Sequence, residues 1–253
     1  MSAKIPRKRL DVLLVERGLA NSRQKAQAMI LAGEVEIAGA KADKAGLQVE
    51  ETATIEVRSR LQKYVSRAGF KLEGALQDSK VNVPGRVCLD VGSSPGGFTD
   101  CLLQQGATRV YAIDVNTDQL AWKLRDDSRI VKIKKNAREL TPDDVPELVD
   151  LVVIDVSFIS VTKVLPGATA CATANADFLI LVKPQFELER EDVGKGGIVR
   201  DEALHEKAVA SVSQTVESLN LQILGVFPSH LIGAEGNQEY FLHARKVPKV
   251  ESQ

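Results

Sequence analysis

The stretch Val87–Thr99 reads VCLDVGSSPGGFT. Its first three residues form a short apolar run that is typical of a buried parallel strand. Asp90 follows and places a carboxylate where that strand is expected to end. The three glycines after it allow the backbone to turn sharply and to come close to a ligand. The residues from Phe98 to Gly106 then predict a helix. A strand, a glycine loop and a helix in this order are typical of the cofactor-binding corner of a doubly wound α/β fold.

The spacing of the glycines distinguishes between cofactor classes. A dinucleotide fingerprint requires G-x-G-x-x-G, whereas these glycines follow G-x-x-x-G-G, and no Gly-Lys-Ser/Thr of a P-loop follows. The string D-x-G-x-x-x-G-G resembles motif I of S-adenosylmethionine (SAM) methyltransferases. The alternative is a tight strand-to-helix turn that binds nothing. The residues that this resemblance assigns to SAM binding are Asp90, Gly92, Ser93, Pro95, Gly96, Gly97 and Phe98.

Length and composition restrict the class of protein. With 253 residues, 44% hydrophobic and 26% charged, the chain has the composition of a soluble globular protein with one large domain or an ordinary and a small one. A formal net charge of −1 predicts no partner. Cys88, Cys101 and Cys171 form no C-x-x-C pair, which favours buried thiols in a reducing compartment over disulfides or metal ligands. The N-terminus lacks the apolar core of a signal peptide, and no apolar run is long enough to span a bilayer. The sequence therefore predicts a cytoplasmic protein without a membrane partner.

Positive charge is concentrated at the N-terminus. The first 25 residues hold seven bases and two acids, a local net charge of +5. A basic cluster on a small module is the electrostatic footprint of nucleic-acid binding, and a solvated helix face is the alternative. The charged residues are, in order, Lys4, Arg7, Lys8, Arg9, Asp11, Glu16, Arg17, Arg23 and Lys25.

The apolar pattern of this segment predicts a small α+β domain. Leucines 10, 13, 14 and 19 share one helical face, and a second helix is expected to begin at Asn21 as its cap. Short strands are predicted around Val35–Ile37 and Thr54–Val57. This order, with the string SRQKAQAMILAGEVEIAG, resembles the S4 RNA-binding domain over about residues 7–58. The residues that the resemblance places against RNA phosphates, which position a protein without reading sequence, are Arg9, Ser22, Arg23 and Lys25.

Polar residues end four of the later apolar runs. Asp114 and Asp155 follow two predicted strands, and Lys183 follows another. Because open α/β sheets bind ligands beyond the carboxyl ends of their strands, these residues are expected to meet Asp90 at one edge. In SAM-binding folds an acid at the position of Asp114 accepts hydrogen bonds from ribose hydroxyls, and the loop with Asn136 and Ala137 meets the adenine edge.

Three further segments carry predictions of their own. Residues 66–76 predict a helix capped by Ser66, with Arg67, a candidate RNA contact, on the same face as Lys71. Residues 118–125 predict a helix in which Trp122 packs rather than stacks on adenine. The charged, glycine-containing segment 186–201 fits either a mobile lid over an active site or a plain surface loop. The predicted organisation is an S4-like domain over residues 1–59, a linker over 60–65 and a catalytic domain over 66–253.

The catalytic domain resembles the FtsJ-like ribose 2′-O-methyltransferases, which use a Lys-Asp-Lys-Glu tetrad in this chain order. Lys71, Asp155, Lys183 and Glu239 match it position by position. With the S4-like module in front, the chain resembles the TlyA family, also called hemolysin A, through the blocks SRAGFKL, DVGSSPGGFTDCLLQ, DVSFIS, LVKPQFE and GNQEYFL. The resemblance implies a mostly parallel seven-stranded, Rossmann-like sheet and SAM-dependent 2′-O-methylation of cytidine in 16S or 23S rRNA.

The chemistry assigns a role to each tetrad residue. A ribose hydroxyl must lose its proton as it attacks a methyl group, and a lysine amine accepts a proton only when its pKa falls toward neutrality. The hypothesis is that Lys183 is the base, that Asp155 orients it, and that Lys71 and Glu239 position the ribose and water or phosphate. No metal is required, because SAM carries its own leaving group. The alternatives are a non-catalytic rRNA-binding assembly factor and a membrane-active hemolysin, and the pattern predicts no particular oligomeric state.

Overall fold

A computed structural model of the chain describes residues 6–20, 22–31, 33–57, 63–233 and 236–248. The chain divides into two compact units, Met1–Lys63 and Tyr64–Gln253. Each unit has its own hydrophobic core. The predicted helix cap Asn21 and residues 60–62 of the predicted linker lie outside the described residues.

The N-terminal unit is a small α+β module. Leu10, Leu13 and Leu14 are buried against Met29 and Ile30 of the second helix, as their spacing predicts, whereas Leu19 is 38% exposed. Strand β1, which the sequence did not predict, pairs antiparallel with β4, and a second sheet has the order β3-β2-β5. The elements are β1 (Arg7–Arg9), α1 (Leu10–Glu16), α2 (Arg23–Leu31), β2 (Val35–Ile37), β3 (Ala40–Lys41), β4 (Gln48–Glu50) and β5 (Ile55–Val57).

The C-terminal unit is built on one seven-stranded sheet. Its strands follow the order β11-β12-β10-β9-β6-β7-β8, in which only β12 runs antiparallel to its neighbours. This confirms the predicted mostly parallel, Rossmann-like sheet. The elements are α3 (Ala68–Ser79), β6 (Val87–Val91), α4 (Gly97–Gln104), β7 (Arg109–Asp114), β8 (Ile130–Lys134), β9 (Val149–Ile154), α5 (Leu165–Ala170), β10 (Ala172–Val182), α6 (Pro184–Glu187), α7 (Glu202–Ser218), β11 (Leu221–Pro228) and β12 (Tyr240–Lys246).

Both faces of the central strands of this sheet are buried. Along β9, Leu151 and Val153 belong to one core cluster with α3 and α4, while Val152 and Ile154 belong to the other with α5 and α7. This alternation explains the continuous apolar runs, because a parallel strand covered by helices on both sides has no solvent face. The three cysteines are buried and free. None of the described helices is both long and apolar enough to cross a membrane.

Two local predictions in this unit are wrong. Residues 118–125 form 3₁₀ turns at Thr117–Gln119 and Trp122–Leu124 instead of a helix, because the Ala121 N–H donates to Pro95 O at 3.0 Å. Trp122 is 76% exposed rather than packed. The Ser66 hydroxyl does not cap α3, which begins after Arg67 without a side-chain cap.

Candidate active site

A cleft of about 680 Å³ opens beyond the carboxyl ends of the parallel strands. Ligands bind at this edge of open α/β sheets, at the point where the strand order reverses, which here lies between β6 and β9. The cleft is lined by Gly92, Ser94, Pro95, Ile113, Asp114, Val115, Gln119, Lys135, Asn136, Ala137, Arg138, Asp155, Val156, Ser157, Phe158, Ile159 and Val164.

Gly92 lines the cleft, and its position has to be a glycine because no side chain fits there. Its φ is +86°, and a Cβ on it would clash with the backbone oxygen of Asp155. The first loop and the end of β9 therefore touch backbone to backbone, which leaves the space above them open. The sequence predicted a close approach of this loop to a ligand, whereas the atom nearest to an added Cβ is the backbone oxygen of Asp155.

Asp114 and Asn136 stand at the ends of β7 and β8 and line the cleft with Ala137. The Asp114 oxygens each accept one backbone N–H, from Ser94 at 3.1 Å and from Asn116 at 2.9 Å. A carboxylate oxygen has a second lone pair, so Asp114 can still accept hydroxyl donors in the cleft. The Asn136 carbonyl caps a 3₁₀ turn at Arg138 N, 3.1 Å away, while its amide group remains able to donate.

Five residues predicted to bind cofactor do not line the cleft. Phe98 is 2% exposed and stacks on Phe241, with 6.0 Å between ring centroids. A Cβ on Gly96 would meet Leu124 at 2.5 Å, and one on Gly97 would clash with the Ser66 hydroxyl. These glycines are required by helix packing. Ser93 and Asp90 are buried as well.

Asp90 lies beneath the cleft in an environment that disfavours its charge. It is fully buried, and its Oδ2 accepts a hydrogen bond from Thr99 at 2.6 Å. Its Oδ1 is one of the buried side-chain oxygens in the described part of the chain that have no hydrogen-bond partner. Burial raises the pKa of Asp90 to about 7, and the nearby Asp155 carboxylate adds to the effect.

Lys183 and Asp155 form an ion pair beside the cleft. Nζ of Lys183 is 2.6 Å from Oδ1 of Asp155 and donates to the Ser157 hydroxyl at 2.9 Å. The two side chains are 9% and 16% exposed. Asp155 and Ser157 belong to the cleft wall, so the amine contacts two residues of that wall.

Lys71 and Glu239 form the second pair of the predicted tetrad. Nζ of Lys71 on α3 is 2.5 Å from Oε2 of Glu239, and both side chains are largely buried. Val182 pairs with Tyr240 in the β10–β12 register, so Lys183 and Glu239, one residue beyond, occupy neighbouring strand ends. The fold therefore gathers all four residues at one edge of the sheet as two ion pairs.

Sequence reasoning missed three residues near this site. Phe158 is 86% exposed at the cleft with a φ of +65°, and its ring lies 5.4 Å from that of Phe186. Non-glycine residues rarely adopt this conformation, and it often marks functional sites. Glu187, at the start of segment 186–201, accepts from the Ser160 hydroxyl at 2.6 Å and from Val161 N at 2.8 Å. The signal for Phe158 in the sequence was an aromatic residue three positions after the strand-end acid Asp155.

Two of the predicted RNA contacts of the N-terminal unit, Arg9 and Arg23, donate hydrogen bonds to the same carboxylate. Asp11, whose side chain is fully buried, accepts two bonds from Arg9 at 3.0 Å and one from Arg23 at 3.1 Å. The Arg9 hydrogen bonds hold the pKa of Asp11 well below its usual range. Ser22 caps α2 by accepting from Lys25 N at 3.2 Å, and the Lys25 side chain is exposed.

The fifth candidate RNA contact, Arg67, lies in the C-terminal unit. One of its Nη atoms is 3.5 Å from Ile232 O, at the limit of a hydrogen bond. None of the described residues form a group of three or more His, Cys, Asp or Glu side chains that could hold a metal ion.

Comparison with known proteins agrees with this architecture. The sequence profile of the FtsJ-like methyltransferase family matches residues 64–246, and that of the S4 domain matches residues 8–55. These matches confirm the predicted types of both domains. The sheet order and the cleft, together with the profile, define the class of the protein as an FtsJ-like methyltransferase.

Individual relatives extend the similarity over nearly the whole chain. The 16S/23S rRNA (cytidine-2′-O)-methyltransferase TlyA of Mycobacterium tuberculosis is 47% identical, covering 94% of this chain and 90% of that protein. Hemolysin A of Brachyspira hyodysenteriae is 43% identical, covering 93% and 98%. A solved structure described as a hemolysin, from Streptococcus thermophilus, has a TM-score of 0.75 at 38% identity and covers 96% and 90%. The chain belongs to the TlyA family of rRNA methyltransferases.

Proposed function

We propose that this chain transfers a methyl group from SAM to the 2′-hydroxyl of a cytidine in ribosomal RNA, with Lys183 as the general base. One observation carries the proposal. The Lys183 amine lies 2.6 Å from Asp155, and Asp155 is itself part of the cleft wall. The proposed proton acceptor therefore contacts a residue of the cofactor-sized cleft.

The residues of the cleft fit SAM. Asp114 keeps free lone pairs for ribose hydroxyls, and the Asn136 amide can donate to an adenine edge. Gly92, which lines the cleft, allows the first loop to lie against the backbone of Asp155. The apolar residues Val156 and Ile159 add a wall suited to a flat ring. Bound SAM would supply an activated methyl group, carried on a positively charged sulfur that becomes a neutral thioether when the methyl leaves.

The chain's own residues act on the hydroxyl that receives the methyl group. As the ribose oxygen forms its new bond to carbon, its proton passes to Nζ of Lys183, which must first have released a proton to become a neutral amine. Asp155 and Ser157 orient this amine, and Asp155 stabilises the ammonium that forms. Lys71 and Glu239 neutralise each other at the same sheet edge, so they can hold the ribose or a neighbouring phosphate without adding net charge. A positioned base of this kind contributes about 10²–10⁴-fold in rate.

The experiment uses SAM labelled in its methyl group and purified 30S and 50S ribosomal subunits that lack the modification. We expect label to appear in rRNA, at a ribose that resists alkaline cleavage on its 3′ side, because a methylated 2′-oxygen cannot attack the adjacent phosphate. Label in a base rather than a ribose, or subunit binding without any transfer, would contradict the proposal. The second result would favour a non-catalytic assembly factor.

A further inference from the structure

The free edge of the large sheet carries a basic surface that the proposed chemistry does not use. Residues 122–138 contain seven lysines and arginines against Asp126 and Asp127, a net charge of +5 along the sequence, of which Lys123, Lys134 and Lys135 pair with acids outside this segment. The first 25 residues carry the same net charge along the sequence, but these seven bases lie in the catalytic unit. We call it the β8-edge surface, and its bases are Lys123, Arg125, Arg129, Lys132, Lys134, Lys135 and Arg138.

The fold brings several of these residues together at the edge of the sheet. Strand β8 is the last strand on its side of the sheet, and Lys132 and Lys134 on it are exposed. The preceding turn lies against the strand, since Lys132 Nζ donates to Arg125 O at 3.3 Å and Lys134 pairs with Asp118 at 3.2 Å.

Trp122 stands out of this surface. It is the only tryptophan in the sequence and is 76% exposed. Its turn is nevertheless held firmly, because Leu124 is buried and the Arg125 guanidinium donates to Leu120 O and Asp118 O, each at 2.8 Å. A large ring that is fixed in place and left in solvent is suited to stacking on an unpaired base.

The same surface leads into the active-site cleft. Lys135 and Arg138 follow β8 directly and line the cleft, where Lys135 pairs with Asp144 and Arg138 is exposed. An extended ligand bound along the edge would therefore reach the end of the cleft that Asn136 and Ala137 line.

Protection of a free sheet edge explains only part of the surface. Lysines on edge strands prevent pairing with other chains, which accounts for Lys132 and Lys134. It does not account for an exposed tryptophan beside them, since an exposed large apolar ring favours association. The combination of an aromatic platform with flanking cations is that of a surface for single-stranded nucleic acid.

We propose that the β8-edge surface binds an unpaired segment of the substrate RNA outside the methylated nucleotide, with phosphates on its lysines and arginines and one base stacked on Trp122. This inference rests on the proposed function only in taking RNA as the substrate. It adds a contact site on the catalytic unit itself, separate from the S4 module.

The test reads Trp122 directly, because every tryptophan signal of the full-length protein comes from this residue. Protein-free 16S and 23S rRNA contain no tryptophan and serve as the probes. We expect rRNA to quench the fluorescence of Trp122 and to protect it from acrylamide. Binding of dye-labelled rRNA with unchanged tryptophan emission and unchanged acrylamide quenching would overturn the proposal.

Matched variants test the cations. Lys132→Gln with Lys134→Gln removes two charges from the edge, and Lys80→Gln with Lys207→Gln removes two exposed charges elsewhere in the same unit. We expect the edge pair to weaken rRNA binding about tenfold and to lower the slope of log K against log salt by about 1.4, with little change in the control pair. Trp122→Ala should weaken binding about tenfold with an unchanged slope. Equal binding by the edge and control variants would overturn the inference.

These outcomes are separable from those of the proposed function. If the wild-type protein fails to methylate either ribosomal subunit, the catalytic proposal is wrong. Trp122 quenching by rRNA still tests the inference about the β8-edge surface. If methylation proceeds but neither Trp122 nor the edge lysines affect rRNA binding, only the inference about the β8-edge surface is wrong.

Discussion

The Lys183 amine is held by an acid and a hydroxyl at the same time, at 2.6 Å from Asp155 and 2.9 Å from Ser157. In the proposed reaction, the carboxylate would lie beside the ammonium that forms when the amine takes up the ribose proton. The hydroxyl restricts the direction in which the amine points. A base needs both, because efficient proton transfer requires a fixed geometry as well as a stable product.

Asp90 makes stability depend on pH near neutrality. Its folded-state pKa of about 7 exceeds the ordinary value of 3.8, so between about pH 4 and pH 7 the folded carboxyl keeps a proton that the unfolded chain has released. Stability contributed by this group therefore falls as pH rises through that window, by at most about 4 kcal/mol. Asp90→Asn stays neutral and should lose less stability than the wild type between pH 5 and pH 8.

The measurement is urea unfolding of both proteins, followed by circular dichroism at the two pH values. Parallel changes in the free energy of unfolding of the two proteins would show that Asp90 titrates normally in the folded state. The result matters for the site, because Asp155 is one of the charges that raise the pKa of Asp90.

In the N-terminal unit a single acid, Asp11, pairs with two of the basic residues. Arg9 and Arg23 share Asp11, so the local charge counted from sequence overstates the cations available to a ligand. Arg9 uses two of its five N–H donors on Asp11 and keeps three for other partners. Asp11 thus presents these guanidinium groups in fixed orientations.

At the scale of elements, Gly92 holds the first loop against the end of β9. Gly92→Ala would add left-handed strain and a clash with the Asp155 backbone oxygen. Gly85→Ala is the matched control, because Gly85 has a φ of +81° and no atom within 4 Å of an added Cβ. We expect Gly92→Ala to cost about 1–3 kcal/mol more than Gly85→Ala and to weaken SAM binding, whereas Gly85→Ala should bind normally.

Thermal unfolding and SAM titration calorimetry of the two variants measure these effects. Equal stability losses together with normal SAM affinity in Gly92→Ala would show that the loop can move away from β9 without consequence for the cleft.

The sequence predicted the strands well, because buried parallel strands are unbroken apolar runs with a polar residue at the end. It failed where tertiary hydrogen bonds replaced local ones. Residues 118–125 have a helical composition, yet Ala121 N–H and the Arg125 side chain bond to more distant backbone oxygens. Strand β1 consists of three basic residues, and only its pairing with β4 makes it a strand.

The strand-end residues of the site were predictable from the sequence, but its loop geometry was not. Acids and lysines at strand ends must meet at one edge, so sequence alone could place Asp114, Asp155 and Lys183 together. Whether a glycine faces the ligand or a helix depends on packing that spacing does not encode, as Gly96 and Gly97 illustrate. The exposure of Phe158 and the Lys183–Ser157 hydrogen bond likewise depend on loop conformation.

At the scale of the whole molecule, RNA binding by the S4-like unit and methyl transfer by the other unit should be separable. Lys25→Gln removes an exposed charge that the S4 resemblance places on a phosphate. We expect KM for ribosomal subunits to rise severalfold and the salt slope to fall by about 0.7–0.9, with kcat and SAM affinity unchanged. Lys44→Gln, an exposed lysine of the same unit, is the control.

Steady-state kinetics at several salt concentrations measure this separation. A fall in kcat for Lys25→Gln, or the same rise in KM for Lys44→Gln, would contradict the assignment of Lys25 as a phosphate contact.

The role of Lys183 is tested most directly by the single-turnover rate of methyl transfer at saturating SAM and ribosomal subunits. The account predicts that Lys183→Ala and Lys183→Arg each lose about 10²-fold or more, because alanine has no base and arginine does not release its proton, while both still bind SAM. Lys80→Gln, which removes an exposed charge, should react at the wild-type rate. A rate for Lys183→Arg within tenfold of the wild type would show that a positive charge at this position suffices and that Lys183 is not the base.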